Sequence, residues 1–498
     1  MKKKNCMFLS FMAACLALVG TACGGSDDPD VAEVPAPTFV SVTPADGATD
    51  VPTGNVSITV LFDQNIFFVS SNATRISITG GTISSAHADG KQLVIAANCP
   101  NEGTKVTVTI PAGLVVNTQK REAAQVSFSF TTHETPAPVE DGHEVAAVAV
   151  KNMIAGWNLG NTLDAWNAGL GNNQAPSKYE TCWGQPQADA HLMRAFKEKG
   201  FTAIRVPVTW FQNMDENNQV NEAWMARVEE VVNYVLDAGM YCILNVHHDT
   251  GAGTQAWLKA DVSAFDAANP RFVALWKQIA NRFNKYGEKL LFEGYNEMLY
   301  GSDPNAQWSE PRDLNNLQAI NKYAQSFVNT VRATGGNNAW RNLIVTTYSA
   351  SHTQNTLNGF VVPTDPCGNQ SHLAIEVHSY DPWDWVNTYN MKWTSQCTAE
   401  ITRLFSDLNA CFITKGYPVI IGEYGSNGNG EKTINKSSTD AQKQEAGRQA
   451  ADMTRLCKKY GAAAFYWMGI VDGQDRAEST FKWSMEQVAD SIVTVARQ

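Results

Sequence analysis

From residue 150 onward, short apolar runs alternate with longer stretches of helical period. The runs are IAGWNLG, TAIRVPV, YCILNV, LLFEGYNE, LIVTT, LAIEVHSY, PVIIGEY and AAFYWMG, eight in all. The intervening segments, such as NEAWMARVEEVVNYVLDAG and RFVALWKQIANRFNKYG, repeat apolar residues at helical spacing and close near Gly, as helices do. Eight strand and helix pairs in roughly 350 residues predict a (β/α)8 TIM barrel of the α/β class. An open doubly wound sheet would carry a Gly-rich phosphate loop, and none is present.

Before residue 150 the pattern is different. VSITVLF, RISITG, KQLVIAA, TKVTVTI and QVSFSFTT are short runs rich in β-branched residues and Phe, separated by Gly, Asn and Pro, which predicts antiparallel strands of an all-β sandwich. The opening VSVTPADGATDVP and the closing FSFTT resemble bacterial Ig-like modules. All 14 Trp and all 14 Tyr lie after residue 150, so two unlike modules are joined. Sugar-binding sandwiches stack pyranose rings on Trp or Tyr; this one has neither and reads as a spacer. The Pro- and acid-rich stretches on either side are linkers. The expected organisation is a signal peptide over 1–22, a linker over 23–38, an Ig-like sandwich over 39–133, a linker over 134–146 and the barrel over 147–498.

The start, MKKKNCMFLSFMAACLALVGTAC, has three lysines, an apolar run too short and interrupted to span a bilayer, and then small residues, which is the pattern of a signal peptide. Its end at Cys23, followed by GGSDDPD, resembles the processing site of exported bacterial lipoproteins, with Gly20 where Leu is usual. A lipid on Cys23 would tether the chain to a membrane, at the outer membrane or cell surface; cleavage near Ala22 would give a periplasmic or secreted protein instead. Removing residues 1–22 leaves 35 basic against 49 acidic residues, a net charge of −14. That balance argues against nucleic acid and other polyanions and fits a neutral ligand. The seven cysteines after Cys23 form no CxxC pair or zinc pattern, so no bridge is assigned. Nothing signals oligomerisation, and the chain is read as a monomer.

Polar residues gather where the eight runs end. Asn158 closes the first and Arg205 the second; His247, His248 and Asp249 follow the third, and Asn296 and Glu297 end the fourth. His378 and Tyr380 follow the sixth, Glu423 the seventh and Trp467 the eighth. In a barrel these positions line one face, where catalytic groups sit. Two carboxylates on nearly opposite strands, with no cofactor motif, suit glycoside hydrolysis, in which one carboxyl is protonated and the other ionised. Arg205 beside Glu423 favours the ionised form there, and a less charged setting among Asn296 and His378 lets Glu297 keep its proton. The HHD triplet hints at a metal, but neighbours on a strand point to opposite faces, so no metal is assigned. Trp224 and Trp276 lie at helix-like positions and are read as core. Trp157, Trp166, Trp183, Trp210, Trp383 and Trp385 lie near strand ends, where about half are expected to meet sugar rings.

These pieces carry a family resemblance. GWNLGNTLDAW, ETCWGQP, IRVPVTW, NVHHD, GYNEM, VHSYDPW and IGEYGS, in that order over most of residues 150–498, resemble family 5 glycoside hydrolases, a retaining family. The resemblance implies Glu297 as acid/base and Glu423 as nucleophile. It further implies that Asn296 meets the sugar 2-hydroxyl, Tyr380 holds Glu423, His378 lies near the acid/base and Trp467 forms the floor under the sugar. His247 would point into the site with His248 or Asp249 in support, and Asn158, Arg205, Trp166 and Trp383 would bind or support. GWNLGNTLDAW and ETCWGQP are similar to the β-1,4-glucanase branch, which implies an endo-acting enzyme on plant β-glucan, xyloglucan foremost, without a cofactor. The alternatives are a β-mannanase on the same scaffold and a surface protein that holds glycan without cutting it. After Trp467 the chain reads WMGIVDG, where many relatives carry an acid and Asn-Gly.

Overall fold

The computed structural model describes residues 33–132 except 50, 52 and 102, and residues 142–301, 310–387, 392–426 and 434–498. Cys23 and most of the 134–146 linker lie outside the described residues. The chain divides into two compact units, residues 1–135 and 136–498.

The first unit is an antiparallel sandwich of β1 (Phe39–Thr43), β2 (Gly54–Phe62), β3 (Ser77–Thr79), β4 (Thr82–Asp89), β5 (Gln92–Cys99), β6 (Lys105–Ile110) and β7 (Val126–Thr131). One sheet has the order β1-β2-β5-β4 and the other β3-β6-β7. Strict alternation turns Ile58, Val60 and Phe62 of β2, Val106, Val108 and Ile110 of β6, and Phe128 and Phe130 of β7 into one buried core. The sequence reading lacks β4, whose TISSAHAD carries few large apolar residues and pairs with β5 through a register break between Ile83 and Ser85.

In the second unit β8 (Gly156–Asn158), β9 (Ala203–Val206), β10 (Tyr241–Asn245), β11 (Leu290–Glu293), β12 (Leu343–Thr346), β13 (Leu373–His378), β14 (Val419–Tyr424) and β15 (Ala463–Trp467) close into a parallel barrel. All eight predicted runs contribute one strand each. Helices surround it, and their ends follow the sequence. Asn221 caps the helix Glu222–Asp237 by accepting from the Ala223 and Trp224 N–H groups. Thr439 and Gln442 form a capping box on the helix Asp440–Tyr460.

Strand alternation builds two layers inside the barrel. Ala203, Ile243, Leu291, Ala374, Ile420 and Ala463 point inward and pack with Ala146, Ala149, Val150 and Met153, from and beside the short helix Ala146–Asn152. Two residues further along β9, β10, β11 and β13, Arg205, Asn245, Glu293 and Glu376 lie on the same inward face, all fully buried. An apolar plug thus lies beneath a charged layer, and the candidate site rests on that layer.

Candidate active site

Arg205 is the hub. Its Nε and Nη2 donate to the two oxygens of Glu293 at 2.6 and 2.7 Å, and Nη1 donates to Asn158 Oδ1 and Glu423 Oε1, both at 2.9 Å. Nη2 also donates to Asn296 Oδ1 at 2.8 Å and lies 3.4 Å from Glu376 Oε1. Burial works against the cation, but the charges of Glu293, Glu376 and Glu423 outweigh it and keep Arg205 protonated. Asn158 is wholly buried and donates its Nδ2 to the Gly422 and Phe465 carbonyls, so it ties three strands together and supports the site from below.

Glu423 ends up ionised. Burial alone would raise its pKa, yet His378 and Arg205, with hydrogen bonds from Arg205 and from the Tyr380 hydroxyl at 2.9 Å, hold it below the ordinary carboxylate range. Glu297 goes the other way: burial raises it most and the Glu423 charge adds to this, against the opposing pull of His378. Its side chain keeps 20% exposure toward the cleft. The expected weakly charged setting is therefore corrected. His378 Nδ1 lies 2.8 Å from Glu297 Oε1, and the imidazole is itself raised to about 10, because the charges of Glu423, Glu297 and Glu376 overcome its burial. One donor atom each from Glu297, His378 and Glu423 falls within a 4.8 Å group.

The HHD residues lie beyond the end of β10, so the strand rule that set His247 and His248 on opposite faces does not apply. Their rings meet at 4.5 Å, and donor atoms of Asp164, His247 and His248 lie within 4.8 Å of one another. Asn245 Oδ1 accepts the Val208 N–H, which turns its Nδ2 toward His247 Nδ1 at 3.0 Å. His247 Nε2 lies 3.9 Å from Glu423 Oε1 and 3.4 Å from Asn296 Nδ2. Burial keeps both imidazoles neutral, His248 falling to about 4. Asp249 is a structural clamp: its carboxylate accepts the Trp210 N–H at 2.8 Å and the Trp257 indole N–H at 2.6 Å.

Trp467 stacks parallel to His247 at 5.8 Å. A Cβ on Gly160 would lie 2.9 Å from the Trp467 ring, so glycine is what lets the ring lie there. Of the six strand-end tryptophans, about half of which were expected to meet sugar, Trp157, Trp210 and Trp385 are buried core. Trp157 stacks on Phe196, Trp210 donates to the Asn245 carbonyl, and Trp385 packs edge-on to Trp393. Trp183 and Trp383 are open, at 37% and 57% exposure, and the half-buried Trp166 accepts the Trp183 indole N–H on its carbonyl at 2.9 Å. Trp224 and Trp276 are core, as read.

The sequence reading missed Asn245, Glu293, Glu376 and Asp164. The first three were marked by a polar residue two places beyond an inward apolar one in an otherwise apolar strand. Asp164 had no such signal; it accepts the Asn161 and Thr162 N–H groups, and burial raises it to about 6.

A parallel barrel that sets two carboxyls with opposite proton preferences together at its C-terminal end has the architecture of a glycoside hydrolase. Residues 169–471 match Cellulase (glycosyl hydrolase family 5), and residues 33–132 match Bacterial Ig-like domain. The chain belongs to glycosyl hydrolase family 5, the cellulase and endoglucanase family, and is a glycoside hydrolase. It is 32% identical over 369 residues to Endoglucanase A of Ruminococcus albus, covering 70% of this chain and 92% of that one. With Endoglucanase A of Clostridium longisporum it shares 33% identity over 367 residues, 70% of this chain but 65% of the relative's length. Among solved structures, a family 5 enzyme from Prevotella bryantii B14, one variant of which holds a xyloglucan tetradecasaccharide, aligns at 47% identity. That alignment has a TM-score of 0.67 and covers 71% of this chain and 99% of that one. A broad specificity endoglucanase from Ruminococcus champanellensis with bound cellotriose aligns at 36% identity and TM-score 0.62, over 70% of this chain and 98% of that one.

Proposed function

We propose that this protein is a retaining endo-β-1,4-glucanase acting on plant β-glucan, with xyloglucan its preferred polymer. The observation that carries the mechanism is the short reach between Glu297 and Glu423. Their nearest oxygens fall within a 4.8 Å group, which suits retaining carboxyls about 5 to 5.5 Å apart and leaves no room for the water that inverting enzymes place between theirs. In the first step an ionised Glu423 oxygen attacks the anomeric carbon, the bond to the leaving sugar breaks, and Glu297 gives that oxygen its proton. In the second, water attacks the anomeric carbon, Glu297 takes a proton from it, and the bond to Glu423 breaks. Arg205 and Tyr380 spread the Glu423 charge, Asn296 meets the sugar 2-hydroxyl and Trp467 lies under the ring.

Xyloglucan is favoured by the likeness to the Prevotella bryantii enzyme, and by the open Trp183 and Trp383, which offer sugar platforms outside the buried charges. A lipid on Cys23 would hold the enzyme at a membrane, with the sandwich as spacer. The test is product analysis on xyloglucan, mixed-linkage glucan, carboxymethylcellulose, galactomannan and xylan. Internal cutting of glucans, fastest on xyloglucan, is the expected result. Cutting of galactomannan alone would move the enzyme to β-mannan. Retention of a polymer by folded protein without any product would make it a glycan-binding protein.

A further inference from the structure

Glu376 is a buried acid that the two-carboxylate mechanism leaves without a task. It sits on β13, two residues before His378 and on the same inward face, fully buried. Its Oε1 lies 3.1 Å from His378 Nε2, and His378 Nδ1 lies 2.8 Å from Glu297 Oε1. Among the described residues its Oε2 has no hydrogen-bond partner. The neighbouring strand leaves room for this carboxyl: a Cβ on Gly422, next to Glu423, would come within 2.1 Å of Glu376 Oε1.

We infer that Glu376 is a positioning residue that keeps His378 protonated on both ring nitrogens, so that Nδ1–H supports the ionised Glu297 in the second half-reaction. The inference rests on the acid/base reading of Glu297. Neutral imidazole has one donor, and with Nε2–H turned to Glu376 its Nδ1 would present a lone pair to Glu297. That lone pair would attract the Glu297 proton and repel its carboxylate. An acceptor at Nε2 removes the choice: although burial and the Glu293 charge raise Glu376 to about 7, its Oε1 accepts from Nε2–H while Nδ1–H donates to Glu297. The groups facing this pair are Arg205 from β9, Glu293 from β11, Glu297 beyond it, Glu423 from β14, His247 and Tyr380. Arg205 stays between Glu376, Glu293 and Glu423, 3.4 Å from Glu376 Oε1, and bonds directly to the latter two. Among the described residues, Glu376 and Glu297 are the two carboxylates within hydrogen-bond reach of His378; Glu423 Oε2 is 3.7 Å away.

The test is Glu376→Gln in the full chain, with two readouts. Histidine 15N spectra at pH 7 report the charge on His378 without reference to activity. An aryl β-cellobioside with an activated leaving group needs little acid assistance in the first step, so its kcat reports the second. The expected result is loss of the imidazolium signal and a fall of about tenfold in kcat, the order of one charge-assisted hydrogen bond. KM should fall with it as the glycosyl-enzyme accumulates, and the alkaline limb of kcat/KM on an unactivated substrate should move up by about one pH unit. Glu376→Ala, which removes the acceptor altogether, gives the same pattern should the Gln variant fail to fold. A His378 still doubly protonated in the variant would overturn the inference, as would loss of its charge with kcat, KM and the alkaline limb unchanged. If the wild-type chain cleaves no glycoside, the proposed function fails by itself, while the spectra still decide whether Glu376 holds His378 charged.

Discussion

At the residue scale, the chemistry depends on two identical side chains being made unlike. Glu423 receives Arg205 and Tyr380 hydrogen bonds, and Glu297 receives burial and the repulsion of Glu423. The signs set the pH profile. Glu423, lowered from the ordinary value, is ionised above its pKa and, as the proposed nucleophile, would lose its reactive form as pH falls through it. Glu297, raised, is protonated below its pKa and, as the proposed acid, would lose its donating form as pH rises through it. A bell-shaped kcat/KM is expected, with its acid limb below and its alkaline limb above pH 4.5, the ordinary glutamate value from which both depart. An alkaline limb at or below that value would remove Glu297 as the acid. Glu423→Ala should lower kcat by roughly 10⁴-fold or more while sugar binding and the unfolding midpoint stay near wild type. Near wild-type turnover from that variant would dismiss Glu423 as nucleophile.

At the element scale, the inward face of β9, β11 and β13 changes from apolar to charged within two residues, and Arg205 is what makes this tolerable. Replacing it by Met would strip Glu293 of its bidentate partner and leave Glu376 and Glu423 to the His378 imidazolium. Breaking a buried pair from one side costs about 3–5 kcal/mol. Denaturant unfolding of Arg205→Met should show a midpoint lowered accordingly at unchanged slope; an unchanged midpoint would mean that the cluster is held otherwise. Gly160→Ala should push the Trp467 ring off its position and raise KM more than it lowers stability, read by kinetics alongside thermal unfolding. The same alternation explains what could be read in the sequence. The eight barrel strands are near-continuous apolar runs between helical segments, a strong pattern, and the strand-end residues followed from it. Glu293 and Glu376 were hidden because an acid inside such a run looks like an interruption until the partner strand supplies Arg205. The strand-end tryptophans divided into core and cleft by burial, which one chain's pattern does not encode. In the sandwich, β4 escaped notice because Ser and Ala at half of its positions give little contrast between its two faces.

At the scale of the whole molecule, each unit buries its own core: the sandwich cluster is built wholly from residues 42–130 and the barrel clusters from residue 146 onward. Removing residues 1–141 should therefore leave the barrel folded, with kcat/KM on soluble glucan within about twofold of the full chain, as for a domain that could fold alone. A large loss on a soluble substrate would give the sandwich a part in the chemistry. The barrel's closure brings β9, β11, β13 and β14 around one guanidinium, and the central claim is that this arrangement readies Glu423 to form a covalent bond to sugar. The direct measurement is trapping with an activated 2-deoxy-2-fluoro-β-cellobioside, followed by intact mass and peptide mapping. One added fluorocellobiosyl group on the peptide containing Glu423, with the β-anomer formed first from normal substrate, is the expected result. A label on another residue, or α-anomer product without any label, would contradict it.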